Sequence, residues 1–470
     1  MKTYREILRH LEHQIVQGEL VPGTRLPAER KLAQELRVNR STVSAAYAEL
    51  RARGLVSAVR GSGTRVSEDV WGAPRHTPDW HTYAAQGVFH PTLPLVRQIW
   101  DAARRPQMIN LARGELHADM WPTAALERAL AQAPLEISLG YGDPRGEPAL
   151  REAVAVHLAT HQKIRVSTEQ ILITSGAQQA LHLLTQCLLR PGDAVALEKP
   201  SYAYSLPLFA SAGLRTFPLP LDQDGILPEA LYDLYRKHHI KLVFVSPTLQ
   251  NPTGTTLTAA RRKRLLEICG ELRLPIVEDD AHGALCFTDE DAPPPLIASS
   301  EQRHQVIYVG TLSKSMAPGL RVGWIVAPHV MIKRLTGARE QMDQSMSAIG
   351  QHVAHIALTR GLWEENLRQV RAALLRRRDH MASALKAYFD DRLAFTLPTG
   401  GYHVWGRWNV DVDDRKLLDV AIESGVVITP GRAYGADPGS VRLTFASSRE
   451  EEIEDGILRL RAAFNSMKGS

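Results

Sequence analysis

From residue 105 onward, short apolar runs typical of buried strands alternate with longer segments of helical periodicity. This alternation predicts an α/β fold built on a mostly parallel sheet, because parallel strands are joined by crossover helices. Ligands in such sheets bind at the carboxyl ends of the strands, so the polar residues that follow each strand are the candidate site residues. The predicted strands are 170–174, 194–197, 242–246, 275–278, 306–309 and 323–326.

A lysine, Lys314, follows the predicted strand at 306–309 in a loop of small and hydroxylated residues, with Arg321 seven positions on. A desolvated amine at a strand end can form an imine with a carbonyl cofactor, and hydroxyls with an arginine can hold a phosphate. On this segment alone, an ordinary surface lysine is the preferred interpretation. The rest of the chain reverses that preference.

The excess positive charge of the chain is concentrated at its N-terminal end. The net charge of the 470 residues is +5, and residues 1–68 contain 12 basic and 7 acidic side chains, which already gives +5. The remaining residues therefore sum to zero. This asymmetry predicts a polyanion-binding module attached to a neutral body, although charge alone also allows a solvated basic face without a partner.

The same segment contains three helical stripes, at 3–17, 26–36 and 40–53, followed by a glycine-rich hairpin at 55–66. Three short helices and a basic hairpin predict a winged helix-turn-helix, whose third helix enters the major groove. The buried stripe of that helix leaves Arg40, Ser41 and Thr42 facing outward. The hairpin would bring Arg60 and the Gly61 amide to a phosphate or to the minor groove.

These residues resemble the GntR family of bacterial transcriptional regulators. The match is carried by the Leu-Pro-Ala-Glu-Arg run at 26–30, by Asn-Arg-Ser-Thr-Val at 39–43 and by Gly-Ser-Gly-Thr at 61–64. The resemblance implies that residues 1–68 bind a double-stranded DNA operator. The implied DNA contacts are Arg30, Arg40, Ser41, Thr42, Arg60 and Gly61.

Residues 69–104 contain several prolines and aromatic side chains without a long period, which predicts a linker that docks in places. The predicted body then occupies residues 105–470. The three cysteines are far apart and lack a CxxC spacing, which favours a reduced compartment and no structural metal. We find no apolar run of about 18 residues and no signal peptide, so we expect a cytoplasmic protein without a membrane partner.

The residues that follow the predicted strands are those that a pyridoxal phosphate site needs. A carboxylate keeps the pyridine nitrogen protonated, an amide donates to the phenolic oxygen, and an aromatic ring stacks on the cofactor. A helix start holds the phosphate, and a lysine forms the imine. In chain order, the segments that offer these groups are a helix start within 175–181, Tyr202, the turn at Asn251, the acidic run Glu278-Asp279-Asp280 and Lys314.

This set resembles the fold-type I aminotransferases, and with the N-terminal module the whole chain resembles the MocR subgroup of GntR regulators. The resemblance implies that Lys314 binds the cofactor covalently, that Arg442 binds the carboxylate of an amino acid, and that Tyr141 reaches the partner subunit's phosphate in a homodimer. The implied cofactor-binding residues are Ala177, Gln178, Tyr202, Asn251, Asp279, His282, Thr311, Ser313, Lys314, Arg321 and Tyr141.

One position departs from the aminotransferase pattern. A tyrosine usually follows the pyridine-binding aspartate by two or three residues and donates to the phenolic oxygen, whereas Ala281 and His282 occupy those positions here. Either His282 replaces that donor, with an imidazole that titrates near neutrality, or it is a histidine packed beside the site. Both interpretations stay open at this point.

Three functions are compatible with the sequence. The first is a transcriptional regulator that senses pyridoxal phosphate or its adduct with an amino acid; the effector would be the cofactor itself or an amino acid such as GABA, D-alanine or taurine. The second is an aminotransferase that carries a DNA-binding module, and the third is a DNA-reading scaffold that has lost cofactor chemistry. The intact Lys314 argues against the third, and the complete DNA-binding module argues against the second.

Overall fold

The computed structural model describes residues 3–59, 63–67, 80, 87–132, 138, 140–289, 292–299 and 303–467. The chain forms two compact units, Met1–Gly87 and Val88–Ser470. Two predicted DNA contacts, Arg60 and Gly61, lie outside the described residues. No helix in the described part of the chain is long and apolar enough to span a membrane.

The first unit has the three helices and the hairpin that the sequence predicts. Its core is formed by apolar residues at helical spacing, among them Ile7, Leu11, Val43 and Leu50. The second helix starts later than predicted, because its first predicted residues form extended chain whose Pro27 carbonyl accepts a 2.8 Å hydrogen bond from the Tyr47 hydroxyl. The elements are α1 Tyr4–Val16, α2 Glu29–Glu35, α3 Arg40–Ala52, β1 Val56–Val59 and the antiparallel β2 Gly63–Val66.

The second unit alternates strands with helices, which confirms the predicted α/β class. Its strands are β3 Ile109–Asn110, β4 Ile171–Thr174, β5 Ala194–Lys199, β6 Arg215–Asp222, β7 Gly225–Ile226, β8 Leu242–Val245, β9 Ile276–Asp279, β10 Val306–Thr311, β11 Gly323–Val326, β12 Leu393–Phe395, β13 His403–Trp408, β14 Val426–Val427, β15 Thr429–Pro430 and β16 Ser440–Thr444. Its helices are α4 Pro94–Ala103, α5 Thr123–Gln132, α6 Pro148–Gln162, α7 Ala177–Leu188, α8 Leu208–Ser211, α9 Ala230–His238, α10 Ala259–Glu271, α11 His329–Met342, α12 Ala348–Thr359, α13 Leu362–Phe389, α14 Asp414–Glu423 and α15 Glu450–Ser466.

The large sheet has the strand order β4-β11-β10-β9-β8-β5-β6-β7. The pairs from β10 through β9, β8 and β5 to β6 are parallel, whereas β11 is antiparallel to both of its neighbours and β7 is antiparallel to β6. Both faces of the sheet are covered: in β10, Val306 and Tyr308 belong to one apolar cluster, and Ile307 and Val309 belong to another. Alternate residues of a strand face opposite sides, so this sheet is buried on both.

A smaller antiparallel sheet, ordered β12-β13-β16-β15, lies in the C-terminal part of the unit. It pairs His403 of β13 with Thr444 of β16, and Arg442 of β16 with Trp405 and Thr429. A separate short parallel pair joins β14 to β3 and so connects residues 109–110 to the C-terminal part. This second sheet carries Arg442, the predicted carboxylate-binding residue.

The predicted linker contains a regular element. Helix α4 begins with Pro94 at its first turn, a favoured position for proline, and buries Val96, Ile99 and Ala102. It belongs to the second unit, whose boundary lies at residues 87 and 88. The predicted domain limits at 68 and 104 stay a prediction, because most of residues 68–86 lie outside the described part.

Candidate functional site

A cavity of about 340 Å³ opens where the strands of the large sheet end. It is lined by eleven of the twelve predicted cofactor and effector residues of the body. Tyr141 does not line the cavity, and its side chain is 83% exposed. The eleven are Ala177, Gln178, Tyr202, Asn251, Asp279, His282, Thr311, Ser313, Lys314, Arg321 and Arg442.

One end of the cavity is suited to a phosphate. Helix α7 begins at Ala177, and its N-cap Gly176 offers no side chain to the first amides, so they are free to bind an anion. Gly176 has a φ of +78°, and a Cβ atom there would lie 3.2 Å from the Arg321 guanidinium. Because β11 runs opposite to its neighbours, Arg321 reaches this edge from the start of that strand, and it donates 2.6 Å to the Ser175 carbonyl.

Two hydroxyls lie at the end of β10, one on its last residue, Thr311, and one on Ser313 in the loop that follows. The Thr311 hydroxyl donates 3.0 Å to Ser313 Oγ or 3.1 Å to the Val322 carbonyl, and it accepts 3.1 Å from the Ser313 amide. Both residues line the cavity beside Arg321. The end of β10 and the loop after it therefore place both hydroxyls at the anion-binding end of the cavity.

The backbone around Lys314 is held by side chains from elsewhere. Tyr402 donates to the Lys314 carbonyl, and Asn366 donates 2.8 Å to the Ser315 carbonyl. The Lys314 amine itself donates 2.5 Å to the Gly114 carbonyl. Burial, and then the nearby Arg442 guanidinium, lower the pKa of Lys314 from 10.5 to about 8. This raises the fraction of neutral, nucleophilic amine near neutral pH.

Asp279 ends β9 next to the lysine. Burial, and then the neighbouring Asp280, raise its pKa to about 7, against a smaller opposing effect of Lys314. Its Oδ1 atom is buried and has no hydrogen-bond partner among the described residues. A buried carboxylate oxygen of this kind requires a donor, and the protonated nitrogen of a pyridine ring provides one.

Arg442 lies on β16 opposite these strand ends and is buried. It donates 2.8 Å to Asn251 Oδ1 and also to the Ala112 carbonyl, and its guanidinium carbon lies 4.7 Å from the centre of the Tyr434 ring. Its Nε atom is buried without a partner in the described part of the chain. A buried guanidinium with donors to spare can bind a carboxylate.

The structure corrects one expectation about His282. Its imidazole does not titrate near neutrality, because burial, and then Lys314 and Arg442, lower its pKa to about 3. The neutral ring lines the cavity, meets Tyr402 and His403 edge-on, and has no partner for Nε2 among the described residues. Whether it replaces the usual tyrosine donor stays a prediction.

Several cavity residues were not predicted from the sequence. Helix α4 contributes Val96, Ile99 and Trp100, and Arg104 directly follows its last residue. The segment after β3 contributes Arg113 to Glu115, and Tyr434 lies under Arg442. The sequence signal for α4 is its apolar spacing of three and four residues, which the prolines of the linker obscure.

The predicted DNA-binding residues of the first unit lie at helix starts. Arg40, Ser41 and Thr42 begin α3, where the first two are exposed and Thr42 is partly buried, and Arg30 is exposed on α2. Arg40 also lies 3.6 Å from a carboxylate oxygen of Glu29. Exposed residues at the start of the third helix are suitably placed to contact base edges.

The body residues fit pyridoxal phosphate on the chemistry of their groups: an unsatisfied buried carboxylate oxygen, a lysine of lowered pKa, and a helix start with an arginine. The fold and this site define a fold-type I, pyridoxal-phosphate-dependent protein with a DNA-binding head.

Comparisons with known proteins agree with this class. Residues 106–460 match the family described as aminotransferase class I and II, and residues 3–66 match bacterial regulatory proteins of the gntR family. The chain belongs to both families, in the combined arrangement of MocR-type transcriptional regulators. It is 35% identical to the uncharacterized HTH-type transcriptional regulator YdfD of Bacillus subtilis, over 98% of this chain and 96% of that protein.

Two solved structures are similar to the body. One is the kynurenine aminotransferase of Pyrococcus horikoshii in complex with PMP, with a TM-score of 0.77 and 30% identity over 83% of this chain and 98% of that one. The other is LysN, the alpha-aminoadipate aminotransferase of Thermus thermophilus complexed with N-(5'-phosphopyridoxyl)-L-leucine, with a TM-score of 0.75 and 29% identity over 83% and 99%. The cofactor of the fold is accordingly pyridoxal phosphate, and the chain is a DNA-binding regulator that depends on it.

Proposed function

We propose that this regulator changes its affinity for an operator when an effector occupies the cavity at Lys314. The effector is pyridoxal phosphate, or an amino acid bound together with it. The observation that carries the proposal is that one chain combines a helix-turn-helix head with a cavity lined by eleven of the twelve predicted cofactor and effector residues of the body. A regulator of this kind acts in the cytoplasm, where its operator is found.

Different cavity residues would bind different parts of the cofactor. Ala177, Gln178, Thr311, Ser313 and Arg321 would hold the phosphate. Pyridoxal phosphate supplies a reactive carbonyl and a ring that accepts electrons.

The other cavity residues would orient the ring and the amino acid. Asp279 would hold a proton on the ring nitrogen, Asn251 and His282 would face the phenolic oxygen, and Tyr202 would cover the ring. The Lys314 amine would bind the carbonyl, and Arg442 would bind the carboxylate of an amino acid. The lowered pKa of Lys314 and the buried guanidinium of Arg442 support these two assignments.

The proposal extends to a homodimer. Tyr141 lies outside the cavity of its own chain and is exposed, which supports a role at the phosphate of a partner subunit. We propose residues 1–68 as the DNA-binding domain, 69–104 as the connection and 105–470 as the sensing body. The effector must bind one arrangement of the two heads more tightly than another, because equal affinity for both would shift nothing.

The test combines cofactor trapping with operator binding. Borohydride treatment of the purified protein should fix the cofactor to Lys314, and Lys314→Ala should abolish that product. This variant should fold and bind the operator as before, but its footprint should no longer respond to ligand. Lys333→Ala, at an exposed position of α11, is the control and should keep the response. An unchanged ligand-dependent footprint in Lys314→Ala would contradict the proposal.

A catalytically active aminotransferase is the second candidate. The lowered pKa of Lys314 favours it, because a partly neutral lysine can move a proton as well as bind a carbonyl. Formation of the keto acid from an added amino acid, measured with and without operator DNA, tests this alternative. Turnover in the wild type but not in Lys314→Ala would support it.

A further inference from the structure

One wall of the cavity is formed by helix α4. Val96, Ile99 and Trp100 are spaced by three and four residues, so they lie on one face of the helix, and all three line the cavity. Val96 and Ile99 are buried, whereas Trp100 keeps 39% of its surface exposed. Trp100 therefore has the most surface on this face left to bury against a ligand.

This apolar face adjoins the proposed carboxylate site. Arg442 lies over the ring of Tyr434, and Tyr434 packs with Val96 in a buried cluster. An amino acid with its carboxylate on Arg442 and its amine toward Lys314 has two substituents of its α-carbon fixed. Its side chain is left to meet the remaining walls, and the face of α4 is the one next to Tyr434.

The two cavity arginines that the proposed function leaves unassigned, Arg113 and Arg104, each already have an acidic neighbour. Arg113 lies 3.2 Å from Glu115, and both line the cavity, so an anionic side chain at Arg113 would also meet a carboxylate. Arg104, at the end of α4, lies 3.5 Å from Asp101. A second carboxylate would have to share an arginine with the acidic side chain that the arginine already meets, whereas a neutral side chain would leave both pairs as they are.

We propose that the effector is an amino acid with a single carboxylate and a large apolar side chain, and that Trp100 is its specificity-determining contact. This inference rests on the proposed function above and narrows it. GABA and taurine have no side chain to bury against α4, and glutamate would bring an unmatched negative charge beside Glu115.

The experiment uses the full chain with bound pyridoxal phosphate and titrates L-phenylalanine, L-leucine, L-glutamate and GABA. The absorbance of the bound cofactor and the operator affinity are followed in parallel. Phenylalanine and leucine should bind at least about tenfold more tightly than glutamate, because an apolar contact distinguishes ligands by about that factor and an unmatched charge adds to it.

Variants of two tryptophans distinguish a specific role of Trp100 in effector binding from a general effect of removing a tryptophan side chain. Trp100→Ala should weaken phenylalanine binding about tenfold. Trp121 is similarly exposed, at 43%, but lies outside the cavity lining, so Trp121→Ala should leave phenylalanine binding unchanged. Trp100→Arg should shift the preference toward glutamate by about tenfold or more. Cofactor trapping at Lys314 should be unchanged in all three variants.

Each outcome supports or overturns the inference. Equal or tighter binding of glutamate, or phenylalanine binding that Trp100→Ala leaves unchanged, would overturn it. A protein that traps the cofactor but responds to none of the four amino acids would overturn it too, while sensing of the cofactor itself would stand. A protein that traps no cofactor would overturn the proposed function and this inference together.

Discussion

Replacing Lys314 by methionine should stabilise the cofactor-free protein at neutral pH. The amine is taken from water into a cavity that also contains Arg442, and this is why its pKa falls from 10.5 to about 8. A charged form that is disfavoured in the folded state lowers the stability of that state. Methionine has a similar length and carries no charge, so it removes this cost.

The size and sign of the effect follow from the same pKa values. At about 1.4 kcal/mol per pKa unit, the lowering from 10.5 to about 8 costs the folded state roughly 3–4 kcal/mol below pH 8. Loss of the hydrogen bond from the amine to Gly114 offsets about 1 kcal/mol. The variant should therefore be more stable by about 2–3 kcal/mol at pH 7. The cost falls as pH rises from 8 to 10.5, because folding then no longer has to bury the charge, and it disappears above 10.5, where the lysine is neutral in both states.

Urea unfolding of the cofactor-free protein, followed by circular dichroism at pH 7 and at pH 10.5, measures this difference. Lys333→Met is the matched control, because Lys333 is exposed on α11 and its replacement should change stability little at either pH. A Lys314→Met variant that is less stable than wild type at pH 7, or a gain that grows with pH, would refute the reasoning.

Three further predictions concern other parts of the chain. Gly176→Ala should weaken cofactor binding about tenfold in equilibrium dialysis, because the added Cβ would lie 3.2 Å from the Arg321 guanidinium. Gly192→Ala is the control, also at positive φ but with open space around it, and an equal loss of cofactor affinity in both variants would contradict this. Tyr47→Phe should lower the stability of the DNA-binding head by about 1 kcal/mol in calorimetry, because it removes the hydrogen bond to the Pro27 carbonyl. Tyr4→Phe, at an exposed position, should have little effect, and unchanged stability in Tyr47→Phe would argue against a stabilising role of this hydrogen bond. Arg40→Ala should weaken operator binding by about 1–3 kcal/mol in a gel shift at physiological salt, and Arg51→Ala, at the other end of α3, should change it less; unaltered affinity in Arg40→Ala would count against docking through the start of α3.

The sheet was predictable because its strands are buried on both faces and stand out as apolar runs. The predicted strand at 242–246, for example, is observed at Leu242–Val245. Strand β6 was missed, since Pro218 and Pro220 interrupt it and most of its residues are exposed or partly buried. Helix α4 was missed for a related reason, because the prolines around it dominated the local pattern.

The order of the site residues could be predicted from the sequence, since parallel strands bring the residues after them to one edge. The pKa values of these residues could not be predicted from the sequence. The pKa of His282 depends on burial and on Lys314 and Arg442, which are distant in sequence. The ring of Tyr434 and the face of α4 reach the cavity through tertiary packing, and short-range periodicity contains no information about such contacts.

The two braces on the loop of Lys314 have a consequence for substitutions of the lysine. Tyr402 and Asn366 hold the carbonyls of Lys314 and Ser315, and neither bond uses the amine of the lysine. Side-chain substitutions at position 314 therefore leave the loop and the walls in place. A single substitution of the lysine would then remove covalent chemistry and still leave a cavity in which a small molecule can bind.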